Sequence, residues 1–365
     1  MKKRVIALGL VLAMAAATTA CGGSSADTSA PAPAEKTETE STESADGAAE
    51  TGESTGAVEG DFAELTLFAA SIPENTPTGV GLQAMADYIT ENSNGTMEAV
   101  TYYDTALGDA SSLTEALKMG TVDIGVSGTA YFSSLVPEIE VFQLPFLFED
   151  LESARAATSG PAADEINAMF DSVGIVGLSF WENGFRELSN NKRNVATPAD
   201  MDGIKMRTLG SPIQIQTWSA FGAMTTQIDA SELYTSLAQG TIDAQDNPLH
   251  EIVARKLYEV QPYVTMTDAT YTPFYMAMSK VRWDSLSESQ RALVVEAAEV
   301  GRQAQLDATD EAQATAKQTL LDNGVTIEEN PDKAAFQEIA KPLWKVFTDV
   351  SPKAAELLET VQAGM

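Results

Sequence analysis

Short apolar runs alternate with amphipathic helical stretches from Phe62 onward, which is the pattern of an α/β protein. Segment 65–69 is predicted as a strand, segment 78–91 as a helix ending before Asn94-Gly95, and segment 96–102 as the next strand. Segments 174–180 and 203–207 are predicted as two further strands. A chain of 365 residues exceeds the usual size of one domain, so we expect two packed units.

One helix-to-strand unit occurs twice along the chain. Its first copy contains Leu113, Leu117, Gly120, Thr121, Val122 and Asp123, and its second copy contains Leu233, Leu237, Gly240, Thr241, Ile242 and Asp243. In each copy a helix is predicted to end at the glycine, which supplies a left-handed turn before the next strand. Chance similarity of a common turn is the alternative. Together with the length, the repeat predicts two similar α/β lobes with a ligand cleft between them.

A very long helix is predicted near the C-terminus. Ser287 and Gln290 have the spacing of a capping box. Residues 290–321 contain no proline, and Gly301 is the residue in this range that disfavours a helix. The apolar stripe is too irregular for a coiled coil, so we expect this helix to lie across a surface and support both lobes. Residues 324–328 are predicted as a last strand and residues 333–363 as further helix.

The N-terminus has the pattern of a secretory signal. Lys2, Lys3 and Arg4 precede an apolar stretch that is too short to span a bilayer as a mature helix, and Cys21 follows it. This arrangement resembles a bacterial lipobox, which predicts a signal peptide at 1–20 and a lipid-bearing Cys21; ordinary signal cleavage without lipidation and an uncleaved anchor are the alternatives. Residues 21–60 are rich in Ala, Ser, Thr and Glu, which predicts a disordered acidic linker.

Composition and charge narrow the possible functions. Lys and Arg number 22 against 53 Asp and Glu, giving a formal charge of −31, so a nucleic acid partner would be repelled. A single His and a single Cys disfavour Ser-His-Asp and Cys-His catalysis, histidine-rich metal sites and an internal disulfide. Carboxylate acid/base chemistry, a lysine-dependent mechanism, an oxygen-ligand metal site and pure binding all stay open at this point.

Three side chains are candidates for holding an anion. Arg186 follows the strand predicted at 174–180, and Arg207 ends the strand predicted at 203–207; ligands of open α/β sheets bind at such strand ends. A guanidinium presents a planar fork that suits a carboxylate. Asn247, in an Asn-Pro turn, offers an amide donor. The alternatives are that each arginine forms an ion pair at the surface and that Asn247 belongs to a turn that binds no ligand.

The order of motifs resembles that of the DctP-type substrate-binding proteins of tripartite ATP-independent periplasmic (TRAP) transporters. The resemblance covers residues 62–350. The segments that carry it are 103–109, 117–123, Trp181-x-Asn183-Gly184-Phe185-Arg186, the segment 197–207 ending in Lys205-Met206-Arg207, Ser211-Pro212, Phe221-Gly222-Ala223, and 232–248 ending in Asp246-Asn247-Pro248.

The resemblance implies a periplasmic-binding-protein-like fold, with two lobes joined by a hinge near 183–186 and 269–274. Lobe I would comprise 61–184 plus 273–312, and lobe II would comprise 185–272 plus 313–365. Arg207 would be the main carboxylate clamp and Arg186 a second cation, and Asn247 would hold the same carboxylate. Trp181, in the first motif, and Gln214, at a position that is often aromatic, complete the expected substrate-binding set.

The function that the resemblance implies is capture of an organic acid outside the cytoplasm. The ligand would be delivered to the sodium-coupled membrane subunits of a TRAP transporter, by a monomeric lipoprotein held at the outer face of the cell membrane through Cys21. No cofactor, metal, catalysis or nucleic acid is expected. A sensor lipoprotein is the first alternative, and a surface glycosidase that uses two carboxylates is the second.

Overall fold

The computed structural model describes residues 57–365. The predicted signal peptide, the proposed lipidation site at Cys21 and most of the acidic linker lie outside the described residues. Strands are β1 (Ala63–Ala70), β2 (Met97–Asp104), β3 (Ile124–Gly128), β4 (Ile175–Asn190), β5 (Lys205–Thr208), β6 (Met224–Gln227), β7 (Ala244–Asn247), β8 (Tyr263–Ser279) and β9 (Thr326–Glu328).

Helices connect and cover these strands. They are α1 (Pro77–Asn92), α2 (Leu113–Met119), α3 (Leu151–Thr158), α4 (Pro161–Asp171), α5 (Pro212–Ala220), α6 (Leu233–Ala238), α7 (Leu249–Ala254), α8 (Lys280–Ser285), α9 (Glu288–Asp322), α10 (Lys333–Ala340), α11 (Trp344–Thr348) and α12 (Pro352–Ala363). A 3₁₀ helix, Pro137–Gln143, precedes α3.

The described strands form one mixed sheet in the order β2-β1-β3-β8-β4-β7-β5-β6, with β9 beside β8. Its two ends have the same construction, because β1 lies parallel between β2 and β3 while β5 lies parallel between β6 and β7. Each end is a β-α-β-α-β unit of the kind that the sequence repeat predicts. The α/β class and the two-lobed architecture are therefore confirmed.

The repeated turn is the same in both lobes. Gly120 and Gly240 both adopt φ 70°, a left-handed conformation that costs a residue with a Cβ more than it costs glycine. In lobe I the Asp123 carboxylate accepts a hydrogen bond of 2.8 Å from the backbone N–H of Thr66. In lobe II Asp243 accepts one of 3.1 Å from the N–H of Lys205. The repeated spacing thus reflects one structural device used twice: a turn followed by a buried aspartate that ties two strands together.

Two long antiparallel strands run through both lobes. β4 pairs with β8 from Ile175 opposite Ser279 to Asn190 opposite Tyr263, while β3 joins β8 at one end and β7 joins β4 at the other. The β4–β8 register shifts between Glu182 and Gly184 and again between Arg186 and Leu188. These two irregularities lie in or beside the segment 183–186 where the sequence predicts the hinge, whereas a third, between Gly177 and Ser179, lies outside it. Hinge motion itself stays a prediction.

The length of β4 corrects the predicted strand at 174–180. Residues 181–190 continue the strand because they pair with β8 and, from Glu187 onward, with β7. Arg186 therefore lies inside a long strand rather than at a strand end. Arg207 lies near the end of β5, as predicted.

The long helix α9 begins with the predicted capping box, in which the Ser287 hydroxyl accepts from the Gln290 N–H and the Gln290 side chain accepts from the Ser287 N–H. Its first half contributes Leu293 and Val294 to the core of lobe I. Its second half contributes Ala316 and Leu320 to a core cluster of lobe II. The prediction of one helix spanning both lobes is confirmed.

The C-terminal region differs from the expected assignment of 313–365 to lobe II. α10 does pack there, with the ring of Phe336 edge-on to Phe221 at 4.9 Å between centroids. α12 instead buries Leu357 and Val361 in the lobe I cluster that contains Phe170. Pro342 and Pro352 interrupt the predicted continuous helix, and the break lets the chain return to lobe I.

The predicted linker also ends earlier in the structure than at residue 60. Val58 packs against the lobe I core, and the backbone N–H of Glu59 donates to the Ser289 hydroxyl at 3.0 Å. The segment that leads into β1 is thus attached to the first turn of α9.

Candidate functional site

A cavity lies between the two lobes and contains about 460 Å³ of empty space, its open mouth included. Lobe I contributes the end of β1 and the segment from Ser127 to Tyr131, and lobe II contributes residues of β5, β7 and α7. The central strands β4 and β8 form its base through Asn183, Arg186, Thr272 and Phe274. Arg207, Arg186 and Asn247 all line this cavity, so the structure brings these three predicted site residues together.

Arg207 is the side chain whose surroundings most resemble a ligand site. It is 1% exposed, and its Nε donates to the backbone carbonyl of Ile228 at 2.8 Å. One terminal nitrogen, Nη2, is buried without a hydrogen-bond partner among the described residues, and no described carboxylate forms an ion pair with this arginine. Burial lowers the pKa of the Arg207 guanidinium from its ordinary value, and the positive charge of Arg186 acts in the same direction. A buried cation without a counterion is costly, so an anion at this position would be strongly stabilised.

Arg186 is in a different state. Its Nε lies 2.9 Å from Asp246 Oδ2, both side chains are buried, and a terminal nitrogen also donates to the Asp246 carbonyl. Another terminal nitrogen reaches the Thr272 hydroxyl at 3.4 Å. The charge of Arg186 is thus compensated by Asp246 within the protein, and its expected role as a second cation for the ligand stays a prediction.

Asn247 donates from Nδ2 to Gln245 Oε1 at 2.6 Å, and Gln245 in turn donates to the Ser189 hydroxyl at 2.7 Å. An amide nitrogen carries two hydrogens, so one donor of Asn247 stays available to the cavity that the residue lines. The network holds the side chain in place at the point where β7 ends and α7 begins.

Gln214 and Trp181 are placed outside the cavity lining. Gln214 lies one layer behind it and donates to Gln143 Oε1 at 3.2 Å. Trp181 belongs to the lobe I core, where a Cβ atom built on Gly81 or Gly301 would approach its ring to 2.9 Å or 3.0 Å. The tryptophan therefore fills the contact between α1 and α9 instead of facing the cleft, which corrects the role expected for it.

The sequence reasoning missed several polar lining residues, among them Asn183, Gln143, Glu251 and Arg255. Gln143, at the end of the 3₁₀ helix, keeps a buried Nε2 without a partner among the described residues. Glu251 and Arg255 form an i,i+4 ion pair of 2.7 Å on α7, directly after the Asn-Pro turn. That spacing was visible in the sequence, but in so acidic a chain a Glu-Arg pair also suits an ordinary surface helix.

Hydrogen bonds join the lobes beside the cavity. The Ser71 hydroxyl, at the end of β1, donates to Asp229 Oδ1 at 2.8 Å. The Tyr131 hydroxyl accepts from the backbone N–H of Ala230 at 3.2 Å. Arg255 donates to the Ser71 carbonyl at 3.0 Å. The structure therefore shows the two lobes in contact around the cavity.

Comparison with protein families identifies the family to which this fold belongs. The family model of bacterial extracellular solute-binding proteins, family 7 (DctP), matches residues 68–349. The chain belongs to the DctP family.

Relatives agree with this assignment. A solute-binding protein of Verminephrobacter eiseniae is 35% identical over 285 residues, covering 78% of this chain and 85% of the relative. The 2,3-diketo-L-gulonate-binding periplasmic protein YiaO of Escherichia coli is 33% identical over 282 residues, covering 75% and 84%. The crystal structure of a sugar acid binding protein from Advenella mimigardefordensis, in complex with galactonate, superposes with a TM-score of 0.80 at 28% identity, covering 84% of this chain and 99% of that one.

The described part of this DctP-family chain lacks two kinds of feature. Within residues 57–365, no three His, Cys, Asp or Glu side chains are grouped so that they could hold a metal ion. No helix in the same range is both long and apolar enough to cross a membrane.

Proposed function

We propose that this protein is an extracytoplasmic solute-binding lipoprotein that closes its lobes on a hydroxylated organic acid and delivers it to a TRAP-type sodium-coupled permease. The observation that carries the proposal is the buried Arg207, whose guanidinium has an unpartnered nitrogen and no described counterion. A ligand carboxylate would supply the missing negative charge and accept charge-assisted hydrogen bonds. Such bonds contribute roughly 1.5–3 kcal/mol each.

The rest of the cavity supports a ligand with hydroxyl groups. Asn183 is buried in the cavity base, where its Nδ2 donates to Thr272 and its Oδ1 has no partner among the described residues. Oδ1 accepts hydrogen bonds, so it suits a hydroxyl of the ligand. Gln143 offers an unpartnered donor to an oxygen of the same ligand. Relatives that bind 2,3-diketo-L-gulonate and galactonate are consistent with a polyhydroxy acid.

The binding half of the proposal is tested by ligand titration. The purified protein, unfolded and refolded to remove any co-purified ligand, is screened by thermal shift against dicarboxylates, sugar acids, keto acids, aromatic acids and neutral sugars. Ligand at about 100 times its Kd should stabilise the folded state by about 2.7 kcal/mol. We expect a sugar acid to raise the midpoint, and Arg207→Ala to weaken its binding at least about tenfold. A response to neutral sugars alone, or equal affinity in Arg207→Ala, would rule out the carboxylate clamp.

The transport half is tested in cells. Deletion of the gene should abolish uptake of the acid identified in the screen, and Cys21→Ala should release the protein from the membrane. Unchanged uptake in the deletion strain would favour the sensor alternative. Unchanged membrane attachment of the Cys21→Ala protein would exclude Cys21 as the anchor.

A further inference from the structure

The cavity that contains Arg207 also contains a carboxylate. Glu251 lies on α7, is 2% exposed and lines the cavity. Its Oε2 accepts from Arg255 Nε at 2.7 Å, whereas its Oε1 is buried and has no hydrogen-bond partner among the described residues. Glu251 and Arg207 form no ion pair with each other within residues 57–365. The cavity thus has separate cationic and anionic groups.

Glu251 is held in its charged form. Burial acts to raise its pKa, but the positive charge of Arg255, the hydrogen bond that Arg255 donates and the positive charge of Arg186 outweigh burial, so the pKa of Glu251 is below its usual value. Arg255 cannot turn freely toward a second anion, because its Nε is bonded to Glu251 and its Nη2 donates to the Ser71 carbonyl at 3.0 Å. The pair therefore leaves one fixed carboxylate oxygen, Oε1, unpartnered on a residue that lines the same cavity as Arg207.

We infer that Glu251 is a specificity-determining residue that selects acids with one carboxylate and a hydroxyl at the distal end, and that it rejects dicarboxylates. The inference rests on the proposed function and narrows its ligand class. A hydroxyl can donate to Glu251 Oε1 and satisfy it. A second ionised carboxylate has no hydrogen to donate and would place like charges together beside Glu251, which is 2% exposed and therefore poorly screened by solvent.

A purely structural role for Glu251 makes a different prediction. If the glutamate serves only to hold Arg255 against Ser71, then loss of its charge should loosen the lobe contact and weaken all acids by the same factor. If it selects ligands, then the ratio of affinities between matched acids should change. The ratio is therefore the quantity to measure.

The experiment uses acids that differ at one end. Calorimetric titration compares each aldonic acid with the aldaric acid of the same carbon chain: erythronate with meso-tartrate, xylonate with xylarate, and galactonate with galactarate. The wild-type protein should prefer the best-bound aldonate over its aldarate by roughly a hundredfold, as expected for a like-charge contact of several kcal/mol. In Glu251→Gln, whose amide can donate to a carboxylate, the aldarate should gain about tenfold and the aldonate should lose severalfold.

Two further variants guard the interpretation. Glu259→Gln removes an exposed lobe II carboxylate that accepts from Tyr234 and does not line the cavity, so it controls for the change in net charge. It should leave the ratio unchanged. Glu251→Gln leaves the charge of Arg255 without its partner, which could prevent folding. The double variant Glu251→Gln/Arg255→Gln removes both charges and replaces the single variant in that case. It too should lose the discrimination against the aldarate.

The outcomes separate the two proposals. A wild-type protein that binds an aldonate and its aldarate equally well, or an unchanged ratio in the folded Glu251 variants, would overturn the inference while the Arg207 clamp stands. If the wild-type protein binds no acid, and Arg207→Ala does not alter the binding of any other ligand, then the proposed function fails and the inference fails with it.

Discussion

The two lobes share a scaffold but differ at one position that matters for binding. Asp123 bonds to the N–H of Thr66 and Asp243 bonds to the N–H of Lys205, so Thr66 and Lys205 occupy equivalent places on β1 and β5. Strand pairing agrees, since Leu67 lies opposite Ile124 and Met206 lies opposite Ala244. The residue after Leu67 is Phe68, and the residue after Met206 is Arg207.

Phe68 and Arg207 are thus structural equivalents, and both are 1% exposed. Phe68 belongs to the lobe I core, where burial of its ring stabilises the fold. Arg207 occupies the same kind of buried position with a charge that the protein leaves without a counterion. The comparison shows that the repeated turns and aspartates build the lobes, while a departure from the repeat places the buried cation of the proposed clamp in lobe II.

The largest effect on ligand affinity is expected when Arg207, the lobe II counterpart of Phe68, is replaced by an apolar residue. Arg207→Met gives lobe II an apolar residue at the position that is apolar in lobe I. Ligand affinity should fall about a hundredfold or more, because a bidentate, charge-assisted contact is lost. The ligand-free protein should become more stable by about 2 kcal/mol, since replacing a buried unpaired charge with an apolar side chain is often stabilising. Calorimetric titration and urea unfolding measure the two quantities.

Phe68→Met is the matched control for that variant. It should lower stability, because a large buried ring is replaced by a smaller side chain, and it should leave affinity within about twofold. The reverse result, with affinity lost in Phe68→Met and kept in Arg207→Met, would contradict the assignment of the clamp to lobe II.

The sequence predicted the scaffold better than it predicted the site. The glycine and aspartate of each repeat act within one β-α-β-α-β unit, so their spacing alone indicates the turn and the strand that follows. Arg207 could be singled out because it is a cation at a predicted strand end in a strongly acidic chain. The roles of Arg186 and Trp181 depend on long-range contacts, with Asp246 and with Gly301, which spacing does not reveal.

Glu251 could not be identified for a related reason. A glutamate four residues before an arginine is typical of an exposed helix, but here Glu251 is buried and Arg255 is only partly exposed, because α7 lies between the cavity and α9. The return of α12 to lobe I was also missed, since its apolar stripe fits any apolar surface equally well. Local sequence patterns determine where helices and strands form, whereas contacts between residues far apart in the sequence determine which of them pack together.

The helices that follow the first strand of each lobe begin alike. α1 begins with the cap Thr76 and Pro77, and α5 begins with the cap Ser211 and Pro212. Beside the start of α5 lies Glu140, buried in a cavity whose lining includes Ile213 and Phe347. Burial raises the pKa of Glu140 to about 7.

This shift predicts a pH dependence of stability. Between the ordinary carboxyl pKa of 4.5 and about 7, the folded protein keeps a proton that the unfolded chain loses, so stability should fall as pH rises through this range. The full effect is about 3 kcal/mol. Glu140→Gln should remove this decline, and wild-type and variant should differ most at pH 8. Urea unfolding at pH 5 and pH 8 measures it, with Glu138→Gln on the same 3₁₀ helix as control; parallel profiles for the wild-type and Glu140→Gln proteins would contradict the assignment.

The smallest effect tests the equivalence of the repeats directly. Asp123 pairs with Arg282 at 2.7 Å and Asp243 pairs with Lys192 at 3.0 Å, in addition to their backbone bonds. Asp123→Asn and Asp243→Asn should each lower the free energy of unfolding by about 2 kcal/mol, because an amide leaves either a buried N–H or the cation unpaired.

The double variant should show additive losses, since the two sites lie in different lobes and share no partner. Ligand affinity should be unchanged, as neither aspartate lines the cavity. A loss confined to one variant, measured by urea unfolding, would mean that the two turns resemble each other in backbone geometry but not in their contribution to stability.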